Sequence, residues 1–221
     1  MEQPVFASDE SIRLSSLLEL MADGLAEKDF CVIDDFLTGA EVALLRDELT
    51  AQYLHGLFKP AGVGKHEHYH FDQKIRGDQI RWLSRESTPQ QCQFFFDRLE
   101  NITGFLNQHL FLGIRDAEFH FAKYQPGSFF KRHRDAFKND GSRKISMIFY
   151  LNEGWLPEHG GQLRLYISDP QGNECPLDVF PVSGRLACFK SDVVEHEVLP
   201  ANRERMSVTG WLKNADPFLF Q

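Results

Sequence analysis

The chain has 221 residues, a formal net charge of -8, and a composition that is 42% hydrophobic and 13% aromatic, with 20 Phe. This content of apolar side chains is typical of a folded protein with a well-filled core and excludes a disordered chain. The negative charge argues against a nucleic-acid-binding surface, because phosphate binding requires a basic face.

The four cysteines and the absence of long apolar runs indicate the compartment. No two cysteines form a C-x-x-C pair, so the sequence suggests neither a zinc knuckle nor a thioredoxin-type motif. No apolar run approaches the roughly 18 residues of a membrane span, so we expect no transmembrane helix. The opening MEQPVFASDESIR is acidic and lacks a basic region, so we expect no secretory signal. We therefore predict a cytoplasmic, reducing environment.

The first half of the chain is predicted to be mainly helical. Leu, Ile and Met recur at helical spacing over residues 11–25, and 30–33 is a short apolar strand candidate. Thr38 is a candidate cap for a helix that extends to residue 49. A third helix is predicted over 88–106, because Thr-Pro-Gln-Gln offers a capping residue, a Pro at the first helical position and a Gln three residues after the cap.

The pattern changes after Ala117 to short β-rich segments separated by clusters of Gly, Pro, Asn and Asp. This alternation is typical of a β-sandwich or small barrel and not of βαβ units. We expect helical layers packed on one β-core and not two independent domains. The predicted strands are 118–125, 144–152, 162–168, 185–190, 195–199 and 204–213.

The tripeptide His133-Arg134-Asp135 matches the HRD of protein kinase catalytic loops. A kinase also needs a Gly-rich loop, a DFG motif and an Asn five residues after the Asp. This chain has neither motif, and the residue at that position is Asp140. The kinase interpretation is therefore excluded.

A metal site is the alternative interpretation of the same residues. His133 and Asp135 are two positions apart, so on an extended segment both side chains lie on one face. Such a pair alone is a weak signal, since it also occurs in charged surface turns. His196 lies in a downstream β-rich segment. Two His and one carboxylate on a β-scaffold form the facial set that holds non-haem Fe(II) and leaves positions open.

Arg205 is predicted to face inward from the last strand. On this strand Arg205 shares a face with Ser207, Thr209 and Trp211. Burying an Arg side chain costs free energy unless its charge binds an anion. A guanidinium pairs well with a planar carboxylate, such as the distal carboxylate of 2-oxoglutarate. The alternative is a rim residue paired with Asp or Glu.

Between about Tyr124 and Lys213 the sequence resembles the prolyl hydroxylases of the Fe(II)/2-oxoglutarate oxygenase superfamily, in particular those of the hypoxia-inducible-factor type and their bacterial counterparts. The segment 75–82 also resembles the part of this family that leads to the active-site lid. The matching stretches are Tyr124-Gln-Pro-Gly, His133-Arg-Asp135, Ile148-Phe-Tyr150-Leu-Asn152 with Trp155, Gly160-Gly161-Gln-Leu163-Arg-Leu165, His196-Glu-Val198 and Arg205-x-x-x-Thr209-x-Trp211.

The resemblance implies an α+β fold with a mainly β core: a double-stranded β-helix, or jelly roll, supported by N-terminal helices. It implies one domain over residues 1–221, with helical support in 1–115 and the catalytic core in 116–214. It also implies that Phe149, which precedes a pocket Tyr, faces outward.

The resemblance further implies a role for individual residues. His133, Asp135 and His196 would be the iron ligands, and Arg205 and Tyr150 would bind the distal carboxylate of 2-oxoglutarate. Arg76 and Asp78 are candidate substrate contacts, although an ion pair with a purely structural role is the alternative. The remaining implied pocket residues are Tyr124, Leu163, Val198, Thr209 and Ile148, with Trp211 as a substrate contact.

The implied activity is hydroxylation of prolyl C4 in a protein substrate, with elongation factor Tu as the leading candidate and a link to oxygen sensing. Fe(II), 2-oxoglutarate and O2 would be consumed or bound, with ascorbate as a candidate reductant, and succinate and CO2 released. The alternatives are an oxygenase of a free amino acid or small molecule, and a non-catalytic sensor of oxygen or 2-oxoglutarate. We expect a monomer without nucleic-acid or membrane partners.

Two polar segments are expected to have no metal role. The His-rich segment 66–70 is predicted to be a loop from its Gly-containing surroundings, and the resemblance implies that this region closes over substrate. Segment 138–141 is predicted to be a turn.

Overall fold

The computed structural model describes residues 9–62, 72, 74–136, 142–169 and 171–214. The His-rich segment 66–70 and the predicted turn 138–141 lie outside the described residues, so both remain predictions. Within the described part of the chain, no helix has the length and apolar character needed to cross a membrane.

Three α-helices precede most of the strands: α1 (Asp9–Lys28), α2 (Gly39–Leu54) and α3 (Phe94–Leu110). Helix α1 buries Leu18, Met21 and Leu25, which lie on one face because they are three and four residues apart. Helix α2 begins with the predicted cap at Thr38. The Thr38 hydroxyl accepts a hydrogen bond from the Glu41 amide, and the Glu41 carboxylate accepts one from the Thr38 amide, which forms a capping box.

The predicted start of the third helix at residue 88 is wrong. A 3-10 helix, Gln90–Cys92, comes first, and α3 begins only at Phe94. The Thr88 hydroxyl donates to the carbonyl of Ser84 at 2.7 Å and is not a helix cap. A local hydrogen bond to the preceding turn therefore competes successfully with the expected cap.

Two antiparallel sheets form the β part of the fold. The larger sheet has the order β1-β9-β6-β11-β4-β3-β2, and the smaller has the order β5-β10-β7-β8. The strands are β1 (Phe30–Ile33), β2 (Lys59–Pro60), β3 (Asp78–Trp82), β4 (Ile114–Tyr124), β5 (Phe130–His133), β6 (Arg143–Tyr150), β7 (Leu163–Ser168), β8 (Glu174–Val179), β9 (Leu186–Lys190), β10 (Glu195–Val198) and β11 (Arg205–Asn214). This two-sheet arrangement with helical support confirms the predicted jelly roll.

Four strands, β2, β3, β5 and β8, are missing from the prediction. They are short or rich in polar residues, and their pairing with distant strands, not their own composition, makes them strands. Strands β1, β2 and β3 extend the larger sheet from within the segment predicted as helical support. The division of the chain at residue 115 stays a prediction.

The larger sheet separates two apolar cores. One core lies between the helices and this sheet, and Phe149 is fully buried in it, with its ring centroid 5.7 Å from that of Phe36 and 5.2 Å from that of Phe95. Phe149 thus turns away from the pocket, as alternation along β6 requires, but the expectation that it faces outward is wrong because the helices cover it. The second core, between the sheets, contains Tyr124 and Leu163 and carries the site.

Candidate active site

Three metal-binding side chains converge where β5 pairs with β10. This pairing places His133 directly opposite His196. Strand β5 ends at His133, so Asp135 lies in the bend beyond it and not on the expected extended segment. The Asp135 carboxylate oxygens lie 3.4 Å from His133 Nε2 and 3.6 Å from His196 Nε2. One donor atom from each residue falls within 4.8 Å of the others.

Backbone carbonyls orient both imidazole rings. His133 Nδ1 lies 2.7 Å from the carbonyl of Lys131, and His196 Nδ1 lies 3.3 Å from the carbonyl of Val194. A carbonyl only accepts, so it favours the tautomer with the proton on Nδ1, in which each ring presents Nε2 toward Asp135. Two imidazole nitrogens are therefore available to a cation on the same side as the carboxylate.

The protonation states suit a divalent cation. Burial raises the pKa of the Asp135 carboxyl, but the adjacent His196 and His133 and a 2.7 Å hydrogen bond from Ser146 outweigh burial, so this pKa lies well below its usual range. Ser191 supports Ser146 through a hydroxyl contact of 2.9 Å. Burial lowers the pKa of His196 to about 4, which keeps the ring neutral near pH 7. An ionised carboxylate beside the neutral His196 imidazole provides donors of the kind that non-haem Fe(II) binds.

Arg205 is a buried cation without an anionic partner among the described residues. The side chain is only 2% exposed, and its Nε donates to the Gly161 carbonyl at 3.0 Å. Its guanidinium carbon lies 5.0 Å from the ring centroids of Tyr124 and Tyr150. The buried Tyr150 hydroxyl makes no hydrogen bond within the described chain. A buried guanidinium beside an unsatisfied hydroxyl fits a carboxylate ligand, since both donors then gain an acceptor.

Gly161 explains part of how Arg205 is placed. Its φ of +68° is unfavourable for other residues, and a Cβ there would lie 2.9 Å from the Ala201 Cβ, 3.2 Å from the Trp155 ring and 3.3 Å from Arg205 Cδ. The glycine lets its own backbone carbonyl approach the guanidinium closely. The Gly160-Gly161 pair in the sequence thus has a physical role at this site.

A cavity of about 600 Å³ connects the metal-binding residues to Arg205. The implied pocket residues on both sheets line it, so side chains far apart in sequence come together there. These are Tyr124, Ile148, Leu163, Val198, Thr209 and Trp211, together with Arg76 and Asp78.

Arg76 and Asp78 form an ion pair at the cavity wall. The guanidinium donates to the Asp78 carboxylate through two bonds of 2.8 and 2.6 Å, and it lies 4.2 Å from the Phe130 ring centroid. Burial lowers the pKa of Arg76, but the charge and hydrogen bonds of Asp78 outweigh this effect and raise it above its ordinary value. The geometry therefore favours the structural alternative for this pair.

A polar and aromatic cluster lies at the other end of the cavity, and only Trp211 of this cluster was predicted from the sequence. Buried His120 lies with its ring centroid 4.9 Å from that of Trp82 and 5.6 Å from that of Trp211. The Arg143 guanidinium carbon lies 3.4 Å from the Trp211 ring centroid, and Glu118 accepts hydrogen bonds from Arg143. Alternation along β4 places His120 and Glu118 on the face of Tyr124, so extending that face backwards in sequence would have found both residues.

The His120 imidazole is neutral and unsatisfied. Burial lowers the pKa of His120 to about 3, with the charge of Arg76 acting in the same direction. Its Nδ1 has no hydrogen-bond partner among the described residues, and neither does the buried Nε1 of Trp211. A cavity lined by such groups offers polar atoms to a ligand without adding charge.

Residues 119–213 match the family model described as the 2OG-Fe(II) oxygenase superfamily. The structure is similar to a prolyl-4-hydroxylase from Pseudomonas putida, with 39% sequence identity, a TM-score of 0.79 and coverage of 89% of this chain and 98% of that one. The chain belongs to the 2OG-Fe(II) oxygenase superfamily. The family prediction is confirmed, and the site of this oxygenase is one for Fe(II) and 2-oxoglutarate, with His133, Asp135 and His196 as the metal-binding set.

Curated relatives of the oxygenase are longer than this chain. It is 30% identical over 213 residues to "Egl nine homolog 1" of Mus musculus, covering 92% of this chain and 51% of the relative. It is 29% identical over 210 residues to "Hypoxia-inducible factor prolyl hydroxylase" of Caenorhabditis elegans, covering 90% of this chain and 28% of that protein. A Trichoplax adhaerens prolyl hydroxylase shares the fold, with 24% identity, a TM-score of 0.83 and coverage of 95% of this chain and 94% of that one.

Replacement of one metal-binding side chain of the oxygenase should strongly weaken metal binding. His196→Ala and Asp135→Ala should each weaken binding of Fe(II), or of Mn(II) as a stable substitute, by more than about 100-fold, because losing an orienting partner alone costs about 10- to 100-fold. The Ser146→Ala substitution, which removes only an orienting partner, should weaken metal binding by about 10- to 100-fold. The measurement is anaerobic titration calorimetry. His55→Ala, at the exposed end of α2, is the matched control. Full affinity in His196→Ala would disprove the assignment.

His120 should make the stability of the oxygenase depend on pH. The folded state keeps His120 neutral down to about pH 3, whereas the unfolded state binds a proton near pH 6.5. Stability from this residue is therefore complete above pH 6.5 and is lost as the pH falls from 6.5 toward 3. Gln does not titrate in this range. Between pH 7 and 5, the His120→Gln variant should therefore lose about 2 kcal/mol less of its unfolding free energy than the unsubstituted protein does. Urea unfolding at both pH values measures this, and equal losses would contradict it.

Proposed function

We propose that this oxygenase hydroxylates C4 of a prolyl residue in a protein substrate, using O2 and 2-oxoglutarate and releasing succinate and CO2. The observation that carries the proposal is one cavity that joins the metal-binding set, the unpaired Arg205 and an aromatic end. When bound, Fe(II) with 2-oxoglutarate would supply the oxidising power, and the chain would supply ligands, orientation and a dry pocket.

The chain's own residues would orient the co-substrate. Arg205 and Tyr150 would bind the distal carboxylate, which directs the keto-acid end of 2-oxoglutarate toward the metal-binding set. The apolar walls formed by Ile148, Leu163 and Val198 would exclude water between these two ends. Thr209, whose hydroxyl contacts that of Ser207 at 3.0 Å, would offer a small polar wall on the same strand as Arg205. Tyr124 would close the pocket beside the guanidinium.

The aromatic end of the cavity supports a prolyl substrate. A prolyl ring is apolar and lacks an amide N–H, so it gains from flat apolar faces such as those of Trp82 and Trp211. Arg143, held between Glu118 and the Trp211 ring, would keep that indole in place. The neutral His120 would pair with a backbone group of the peptide. Arg76 and Asp78 would shape the wall, because they already satisfy each other.

The comparisons point to the same substrate class. The Pseudomonas putida relative is described as a prolyl-4-hydroxylase, and the Trichoplax adhaerens protein is in complex with a hypoxia-inducible-factor peptide fragment. We propose a peptidyl proline as the target here, with elongation factor Tu as the candidate protein and oxygen sensing as the associated role. Action on a free amino acid and non-catalytic sensing are the competing functions.

The decisive experiment measures turnover and product together. The protein with Fe(II), 2-oxoglutarate and ascorbate should form succinate faster when elongation factor Tu or its proline-containing peptides are added. Mass spectrometry should locate a gain of one oxygen on a proline, and peptides with that proline replaced by Ala should not stimulate turnover. Bound metal without substrate-stimulated succinate would support the sensor, whereas hydroxylation of free amino acid alone would support the small-molecule oxygenase.

Arg205→Lys should specifically weaken 2-oxoglutarate binding. Lysine keeps the charge but loses the planar pair of donors, so the KM for 2-oxoglutarate should rise about 10- to 100-fold, as expected for loss of a charge-assisted hydrogen bond. Metal affinity should remain unchanged. Arg203→Lys is the matched control, since Arg203 donates to the Gly154 carbonyl on the surface. An unchanged KM in Arg205→Lys would contradict the assigned role.

A further inference from the structure

Two of the four cysteines lie side by side, away from the cavity. Cys31 on β1 is directly opposite Cys188 on β9 in the antiparallel pair, and the Cys31 Sγ also donates to the Leu20 carbonyl of α1 at 3.4 Å. Both are free thiols. The other two cysteines lie elsewhere: Cys92 is buried beside α2, where its Sγ lies 3.5 Å from the Leu44 carbonyl, and Cys175 is exposed on β8.

The backbone geometry permits a bond between these two sulfurs. Directly opposed residues in an antiparallel pair have Cβ atoms about 4.5–5.5 Å apart. A disulfide needs a Cβ separation of about 3.5–4.5 Å. Closure therefore requires a shift on the order of 1 Å. Strand β1 has four residues and lies at the edge of the larger sheet, paired there with β9, so it can move without breaking a second strand pairing.

The two thiols differ in their access to solvent. Cys31 is partly exposed and lines a surface cleft of about 650 Å³ between α1 and the strands. Gly24 of α1 leaves room for the Cys31 side chain, since a Cβ at position 24 would lie 2.8 Å from the Cys31 Cβ. Cys188 is fully buried behind it. A small reagent in the cleft therefore reaches Cys31 first and Cys188 only through Cys31.

The pKa directions of the two thiols also indicate that Cys31 reacts before Cys188. The neighbouring Cys188 thiol lowers the pKa of the Cys31 thiol; burial opposes this effect, and the charge of Lys28 adds to it. The same contact, together with burial, raises the pKa of Cys188 well above its ordinary value. The acidic residues Asp23 and Glu27 of α1 also line the cleft. A partly exposed thiol with the lower pKa beside a buried one is the arrangement of an attacking and a resolving cysteine.

We propose that Cys31 and Cys188 form a peroxide-reactive dithiol site that closes reversibly to a disulfide. The Cys31 thiolate attacks one oxygen of hydrogen peroxide, the O–O bond breaks, and water leaves with one added proton. Cys31 is thereby oxidised to a sulfenic acid. The Cys188 sulfur then attacks the Cys31 sulfur, the S–O bond breaks, and a second water leaves. In total, two thiols and one hydrogen peroxide become one disulfide and two waters.

The test uses the full-length protein, freed of metal with a chelator so that iron does not react with the peroxide. After hydrogen peroxide treatment, two of the four thiols should be lost, and the intact mass should fall by two hydrogen atoms. Peptide mapping without reductant should recover one cross-linked peptide pair containing Cys31 and Cys188, and dithiothreitol should restore all four thiols. This mapping of the unmodified chain does not depend on any variant folding.

Variants identify the two roles. Cys188→Ser should leave Cys31 as a sulfenic acid that dimedone labels, and Cys31→Ser should give neither the disulfide nor the label at Cys188. Cys175→Ser is the matched control and should form the cross-link as the unmodified chain does. The proposal is overturned if all four thiols survive, if oxidation occurs at Cys175 alone, or if Cys31 is oxidised without the cross-link to Cys188.

Discussion

His133 and His196 face each other across the pairing of β5 with β10, and the chemistry of the protein depends on this register. A slip of one residue would turn the His196 side chain to the opposite face of the strand, because side chains alternate with a period of two. Strand β10 also pairs with β7, so its register is held from both sides. Asp135 is held from the other sheet, through the hydroxyls of Ser146 and Ser191. The metal-binding set therefore connects the two sheets as well as binding the ion.

The unpaired charge of Arg205 makes the cavity selective. A buried guanidinium without an anion is unfavourable, so the cavity gains most from a ligand that supplies a carboxylate there. The Gly161 carbonyl holds the Arg205 guanidinium in place, and the Tyr150 hydroxyl, which has no partner among the described residues, can donate a hydrogen bond to the same carboxylate. At the opposite end, the aromatic Trp211 and the neutral His120 lie beside the mutually paired Arg143 and Glu118. One cavity thus offers charge at one end for a small dicarboxylate and, in the function proposed above, flat aromatic faces at the other end for a prolyl ring.

Features of the fold that depend on local pattern could be predicted from the sequence, whereas features that depend on long-range packing could not. The face of β11 that carries Arg205 and the cap at Thr38 follow from spacing and side-chain chemistry alone. Asp135 lies in a bend because β5 ends two residues earlier, at His133. Phe149 faces away from the pocket as alternation demands, yet it is buried because helices from the first half of the chain cover that face. The role of β5 as a strand could not be inferred from its own composition.

By itself, the sequence determined which side chains are available for metal and carboxylate binding, their order, and the strand face that several of them occupy. Only the tertiary structure decided which of them meet: His133 with His196, Cys31 with Cys188, and Arg205 with no anion among the residues that the structure describes. The physical reason is that a two-residue or 3.6-residue period is a local property of the backbone, whereas the strand that lies opposite depends on pairing between distant segments. Burial and neighbouring charge, which set the pKa directions at the site, follow from that pairing.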